Sequence, residues 1–352
     1  MKILGLHHIT LVSGNIRRTF DFYRRILGLR LVKKTVNFDD PSSYHLYFGD
    51  EEGSPGTIVT FFEWADIPRG LPGIGGTHHL ALQTSDYESL LKWKRRLQDE
   101  GVRVHGPMDR GYFQSIYFTD PDGMHLEIAT QGKGYTIDEA VETLGENTIV
   151  KDHFEDARIS GDAWEERVPV ISGDMSLRCG MHHISAICAD IERTDRFYRE
   201  VLGMQRVKKT VNHDDPTSAH WFWGVDGGRP GTVVTYFERS PDNTRFVQHG
   251  TGQTHHFALA VEDEQEQLEW RRRIMDAGIG VSEVKDRTYF KSIYTQDPDG
   301  HIIELATNGP GFMVDESKAK LGNQLMLPKW LEPQRSAIEE DLTSLDTLGK
   351  ED

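Results

Sequence analysis

At 352 residues and 37% hydrophobic composition, the chain is long enough for two domains with real cores and is globular rather than disordered. A net charge of −16 argues against nucleic acid or an anionic membrane as partner, because a phosphate-binding surface needs a basic field. Two cysteines, Cys179 and Cys188, are too few for a disulfide framework, and no signal-type or membrane-length apolar run is present, so the sequence predicts a soluble cytoplasmic protein.

Residues 6 to 12 read as a strand, followed by Ile16, Phe20, Tyr23 and Leu27 on one face of a helix that Gly28 is placed to end. Strand-like runs at Leu29 to Val36, Tyr44 to Phe48 and Thr57 to Phe62 follow. Residues 77 to 130 repeat that order, with a strand at His79 to Thr84, a helix from Asp86 to about Glu100, then three strands. The second half repeats the first. At an offset of 175, ten of the 13 residues from Lys33 to His45 are identical to Lys208 to His220. At an offset of 177, His78-His79 falls on His255-His256 and Glu127 on Glu304. The predicted architecture is α+β, four βαβββ modules at about 6–64, 77–130, 181–238 and 254–307 in two tandem domains, 1–150 and 179–340, forming curved mixed sheets. Residues 151–178 read as a connecting arm and 341–352 as a frayed tail. Gly134 to Glu139 matches Gly311 to Glu316, so each half carries an arm expected to pack over its own domain or its neighbour.

All four modules open with a histidine pair: His7-His8, His78-His79, His182-His183 and His255-His256. Strict strand alternation would let one ring of each pair face the concave side of a curved sheet. The Asp-Pro-Asp-Gly turns at Asp120 and Asp297 predict hairpins whose second strands carry Glu127 and Glu304. Such a carboxylate is costly to bury without a positive partner. Aligned on their turn glycines, the other two modules have Thr60 and Thr235 in its place. Pairing one module of each type gives two histidines and one glutamate, a set that leaves one face of an octahedral ion open and suits non-haem Fe(II) or Mn(II). A fourth, carboxylate ligand would instead suit lyase or isomerase chemistry, and a fold without metal would suit a module that sequesters aromatic compounds. Arg287 and Tyr294, matched by Arg110 and Tyr117, are candidates to bind an anionic oxygen; His45 and His220 are weaker ones. Lys33-Lys34 and Lys208-Lys209 read as solvated strand ends, and Tyr47, Phe48, Trp221, Phe222 and Trp223 as sheet-packing groups.

With these motifs assembled, and with Phe22 to Leu29, Tyr44 to Phe48, Pro55-Gly56-Thr57 and Leu327 to Pro333, the chain resembles the vicinal-oxygen-chelate superfamily, which includes glyoxalase I, bleomycin-resistance proteins and extradiol dioxygenases. It looks most like the four-module hydroquinone-type ring-cleaving dioxygenases of aromatic-compound degradation. That resemblance implies Fe(II), or Mn(II) or another divalent metal, held by His8, His256 and Glu304, with His7, Arg287 and Tyr294 as catalytic second-sphere groups. The partners it implies are a small aromatic diol and O2, and it allows a homo-oligomer. The sequence departs from a single-site pattern because His79, His183 and Glu127 form a second full set. Two pairings stay open, modules one with four and two with three, or one with two and three with four, as does the choice between His255 and His256.

Overall fold

The computed structural model describes residues 1–150, 164–213, 215–342 and 345. Module one comprises β1 (Gly5–Ser13), α1 (Ile16–Asp21, continuing as a π-helical turn over Phe22–Ile26), β2 (Arg30–Asn37), β3 (Asp40–Gly49) and β4 (Ile58–Glu63). Module two comprises β5 (Thr77–Thr84), α2 (Tyr87–Asp99), β6 (His105–Asp109), β7 (Gln114–Thr119) and β8 (His125–Thr130). In module three these are β9 (Met181–Cys188), α3 (Ile191–Arg196, then a π turn over Phe197–Val201), β10 (Gln205–Asn212), β11 (Asp215–Gly224) and β12 (Val233–Glu238). Module four has β13 (Thr254–Val261), α4 (Glu264–Asp276), β14 (Lys285–Asp286), β15 (Lys291–Gln296) and β16 (Ile302–Thr307). The helix of each module begins at an Asn or Asp whose side chain accepts a backbone N–H three residues on: Asn15, Asp86, Asp190 and Asp263. Gly28 ends the first helical segment at φ 72°, a left-handed position that costs a glycine little.

The sixteen strands form two mixed sheets of eight, ordered β14-β15-β16-β13-β1-β4-β3-β2 and β10-β11-β12-β9-β5-β8-β7-β6. Modules one and four therefore share one sheet and modules two and three the other, which selects the first of the two pairings the sequence left open. The 1–150 and 179–340 divisions follow the duplication along the chain, whereas each sheet draws one module from each half. Antiparallel seams join the modules, β1 to β13 and β5 to β9, and each opening strand also pairs in parallel with the last strand of its own module.

The Asp-Pro-Asp-Gly turns tie the two sheets together. Asp120 Oδ2 accepts from Tyr23 Oη at 3.1 Å, and Asp122 accepts from Gly14 N and from Arg18 Nη2 at 2.7 Å. In the other half, Asp297 accepts from Tyr236 Oη at 2.7 Å and Asp299 from Ala189 N. The helices and sheets enclose a core that includes Tyr23, Trp93, Tyr198 and Trp270. The connecting segment packs along α2, where Trp93 Nε1 donates to the Met175 carbonyl at 2.7 Å; the 151–163 part of the predicted arm lies outside the described residues, as does nearly all of the predicted tail beyond Leu342.

Each repeated arm crosses to the other half of the chain. Tyr135 and Leu144 pack with Val207 and Phe222 of module three, while Phe312 and Leu321 pack with Val32 and Tyr47 of module one. The lysines read as solvated strand ends take part in this docking. Lys33 is fully buried, its Nζ 2.6 Å from Asp315 and 2.5 Å from Glu316, and buried Lys208 reaches Asp138 at 2.8 Å. A register irregularity between Leu31 and Lys33, and between Arg206 and Lys208, interrupts the alternation beside each lysine, and the crossing arm supplies its acidic partner. Tyr47, Phe48, Trp221, Phe222 and Trp223 are buried. Among the described residues, no helix is long and apolar enough to cross a membrane.

Candidate metal centres

The site begins with a backbone irregularity. Along the seams, pairing skips His7 in β1, His255 in β13, His78 in β5 and His182 in β9. A bulge places an extra residue on one strand and breaks the period of two, so both rings of a pair can meet on one side. They do: His7 Nδ1 lies 2.9 Å from His8 Nδ1, and the other three pairs are joined through Nδ1 at 2.8 Å. Strict alternation, on which the one-ring-per-pair expectation rested, does not hold at these strands.

This contact fixes which nitrogen of His8 carries a lone pair. His7 Nε2 is 3.2 Å from the Thr307 carbonyl and must donate to it, so neutral His7 accepts at Nδ1. His8 then donates from Nδ1 and presents a bare Nε2. Burial, with His8 beside it, lowers the His7 pKa to about 3, which keeps that ring neutral. His7 thus turns both ring nitrogens onto the protein and orients His8.

The Nε2 atoms of the second histidine of each pair converge on the glutamates. In centre one, Glu304 Oε2 lies 2.9 Å from His256 Nε2 and 3.3 Å from His8 Nε2, and the two nitrogens are 3.4 Å apart. In centre two, Glu127 Oε2 lies 2.9 Å from His79 Nε2 and 3.4 Å from His183 Nε2, with 3.2 Å between the nitrogens. The structure thus brings His256 rather than His255 to Glu304. All six residues are buried, and Glu304 Oε2 and both oxygens of Glu127 have no hydrogen-bond partner. Lone pairs facing one another across roughly 3 Å repel unless a cation lies between them, and metal bonds near 2.1 Å at right angles give about that ligand spacing. Burial pushes each carboxyl up, but the facing histidines outweigh it and hold Glu304 and Glu127 well below the usual range. Burial also lowers His256 and His79, against the opposing pull of their glutamates. Neutral imidazoles beside an ionised carboxylate are the protonation states that metal binding requires.

Threonines occupy the fourth corner. Thr60 pairs with Thr10 across β1 and β4 as Glu304 pairs with Ala258 across β13 and β16, and Thr235 pairs with Ser185 as Glu127 does with Ala81. Both triads therefore have three protein ligands available, not the four of a lyase-type site. A hydrogen-bonded chain runs from Tyr47 Oη to His45 Nδ1 (3.0 Å), His45 Nε2 to Thr60 (2.8 Å) and Thr60 to Thr10 (3.0 Å), which leaves Thr10 Oγ1 beside His256 Nε2 at 3.0 Å. Centre two repeats His220 to Thr235 and Thr235 to Ser185, with Phe222 in place of Tyr47. His45 and His220, the weaker candidates of the sequence, each contact the threonine that stands where the other modules carry glutamate.

Arg287 Nε donates to Tyr294 Oη at 3.2 Å, and Arg110 Nη2 to Tyr117 Oη at 3.0 Å. Tyr294 meets His256 edge-on at 5.6 Å and Tyr117 meets His79 at 5.8 Å, which places both pairs beside their triads. Burial raises both phenols, Tyr117 to about 12 despite Arg110, so both stay protonated donors near neutrality. A cavity of about 550 Å³ opens over centre two, reaching Glu127, His79, His183, Arg110, Tyr117 and His220.

Residues 5–128 and 180–305 match the family model of the Glyoxalase/Bleomycin resistance protein/Dioxygenase superfamily. MhqO of Bacillus subtilis (strain 168), named by assignment as a ring-cleaving dioxygenase, is 34% identical over 344 residues, covering 97% of this chain and 96% of its own. The chlorohydroquinone/hydroquinone 1,2-dioxygenase of Sphingobium indicum is 28% identical over 348 residues, covering 97% and 95%. A crystal structure of an assigned dioxygenase from Bacillus subtilis subsp. subtilis str. 168 superposes with a TM-score of 0.77 at 33% identity, covering 97% of each chain.

Proposed function

Because the chain belongs to the glyoxalase/bleomycin resistance protein/dioxygenase superfamily, we propose that it is a ring-cleaving dioxygenase that uses Fe(II), or Mn(II) in the same ligand set, to open a small aromatic diol of hydroquinone or catechol type with O2. The observation that carries this reading is the convergence, twice over, of two imidazole Nε2 atoms and one carboxylate on a buried point flanked by a protonated tyrosine and an arginine. In this assignment His8, His256 and Glu304 hold one ion and His79, His183 and Glu127 the other. A divalent iron held by these residues would supply an electron path between a bound diol and O2.

The chain's own residues supply position and protons. Tyr117 Oη accepts from Arg110 and from Ser115, so its hydrogen is left to donate to a substrate oxygen, and Arg110 beside it favours charge on that oxygen. Arg287 and Tyr294 have the same relation in centre one, where Arg287 Nη1 also reaches Asp39 at 3.3 Å. His45 and His220, held neutral by burial, sit on the threonine side and orient the hydroxyls of Thr60 and Thr235. His7 is a positioning residue, because its nitrogens are committed to His8 and Thr307.

Anaerobic reconstitution with Fe(II), followed by oxygen uptake across a panel of hydroquinones and catechols, tests the function. Uptake matched by loss of one diol and appearance of a ring-opened acid is the expected result. A metal-loaded protein that consumes no oxygen with any member of the panel would contradict it.

A further inference from the structure

The two centres share their triads and their Arg–Tyr pairs, yet their surroundings differ. Around the cavity of centre two stand Arg239, His213, His105 and His125, where the matched positions near centre one hold Trp64, Phe38, Ser282 and Ile302. The backbone confirms the match. Arg239 N donates to the Cys188 carbonyl at 2.8 Å as Trp64 N does to that of Ser13 at 2.9 Å. Both side chains also lie over the same aromatic platform, Trp64 stacked on Phe62 at 5.6 Å and Arg239 over Phe237 at 5.9 Å. The substitution therefore puts a guanidinium where centre one has an indole.

Charge separates the two environments further. Among the described residues lining the cavity, Glu127 is the one carboxylate and belongs to the triad, whereas Arg239 is a permanent cation at a position where centre one has Trp64. Asp215, 3.8 Å from Arg239, is half exposed and does not line the cavity. Near centre one the matched side chains are aromatic, with Trp64 edge-on to His255 at 5.6 Å and Phe38 against Trp330 at 5.6 Å.

We propose that the centres divide their substrates by charge: centre two takes an aromatic diol bearing a carboxylate, which Arg239 reads at the cavity wall, and centre one takes an uncharged ring. The proposal rests on reading the triads as diol-binding metal centres. A guanidinium matches a carboxylate in shape and charge, whereas an indole offers an apolar face that a carboxylate would have to desolvate against. The histidines around Arg239 add polar ring nitrogens, so the division stands on the fixed charge of the arginine and on the loss of the apolar wall.

Full-length Glu304→Ala and Glu127→Ala chains each leave one centre, and loading them with redox-inert Zn(II) allows affinity to be read by calorimetry without turnover. The probes are a carboxylated hydroquinone, 2,5-dihydroxybenzoate, and methylhydroquinone. The expected result is a preference of about tenfold for the carboxylated ring in Glu304→Ala and the reverse order in Glu127→Ala. Arg239→Gln should cut the carboxylated-to-methyl affinity ratio of centre two by about tenfold, with partial retention in Arg239→Lys. If a glutamate variant fails to fold, Arg239→Gln in the otherwise intact chain carries the same ratio test. Equal ratios at the two centres, or a ratio that Arg239→Gln leaves in place, would overturn the proposal. Oxygen uptake by the Fe(II) form is read separately. A preserved affinity split without uptake supports the charge division and removes the ring-cleavage reading, whereas uptake with no split overturns the division alone.

Discussion

At the scale of single residues, His8 depends on His7 because an imidazole has two nitrogens and only one can face the ion. The Nδ1 contact between them leaves Nε2 for the metal side, and its loss lets the ring rotate or take the other tautomer. His7→Phe is expected to weaken metal affinity at centre one roughly 10- to 100-fold, with centre two unchanged, as measured by competition with a chelating dye. His7→Asn should restore part of the loss, since an amide oxygen can accept from His8 Nδ1; equal loss in both variants would point to a packing role alone. The histidine pairs, the alternate glutamates and the Arg–Tyr partners were all legible in the sequence because each recurs at a fixed offset. Contact between adjacent rings was not, because it depends on a bulge that no residue type in His7-His8 announces.

Individual elements show a similar split between local pattern and tertiary context. Helices, hairpins and their ends follow from apolar spacing, Asp or Asn caps and Asp-Pro-Asp-Gly turns. Lys33 and Lys208 misled that reading, since a lysine in a strand is ordinarily solvated and only the crossing arms supply their acidic partners. Replacing Lys33 with Met leaves Glu316 buried without its cation, and a loss of about 3–5 kcal/mol in denaturant unfolding is expected. A change below about 1 kcal/mol would mean that the arm is not held by this pair. The turn aspartates make a second prediction. Burial raises Asp120 and Asp297 to about 6 from an ordinary 3.8. A raised carboxyl contributes stability that is full below its unfolded pKa and is lost as pH rises through the folded value. Asp297→Asn should therefore become more stable relative to the parent by roughly 2–3 kcal/mol between about pH 4 and pH 7. A difference that stays flat over that window would show that Asp297 is not raised.

For the molecule as a whole, duplication makes the repeats easy to see and their partners hard to choose. Either pairing of modules gives two complete triads, because every module begins with the same histidines and glutamates alternate. The choice depends on which opening strands meet at a seam, a long-range property without a local signature, and the structure joins β1 to β13 and β5 to β9. Each candidate centre therefore draws its residues from both halves of the chain, His8 with His256 and Glu304, and His79 and Glu127 with His183. The most direct test is the iron content per chain after anaerobic reconstitution and removal of excess metal, compared among the parent, Glu304→Ala, Glu127→Ala and the double variant. Two independent centres predict about two ions in the parent, about one in each single variant and none in the double. A parent content that neither substitution lowers, or one that a single substitution abolishes, would contradict them.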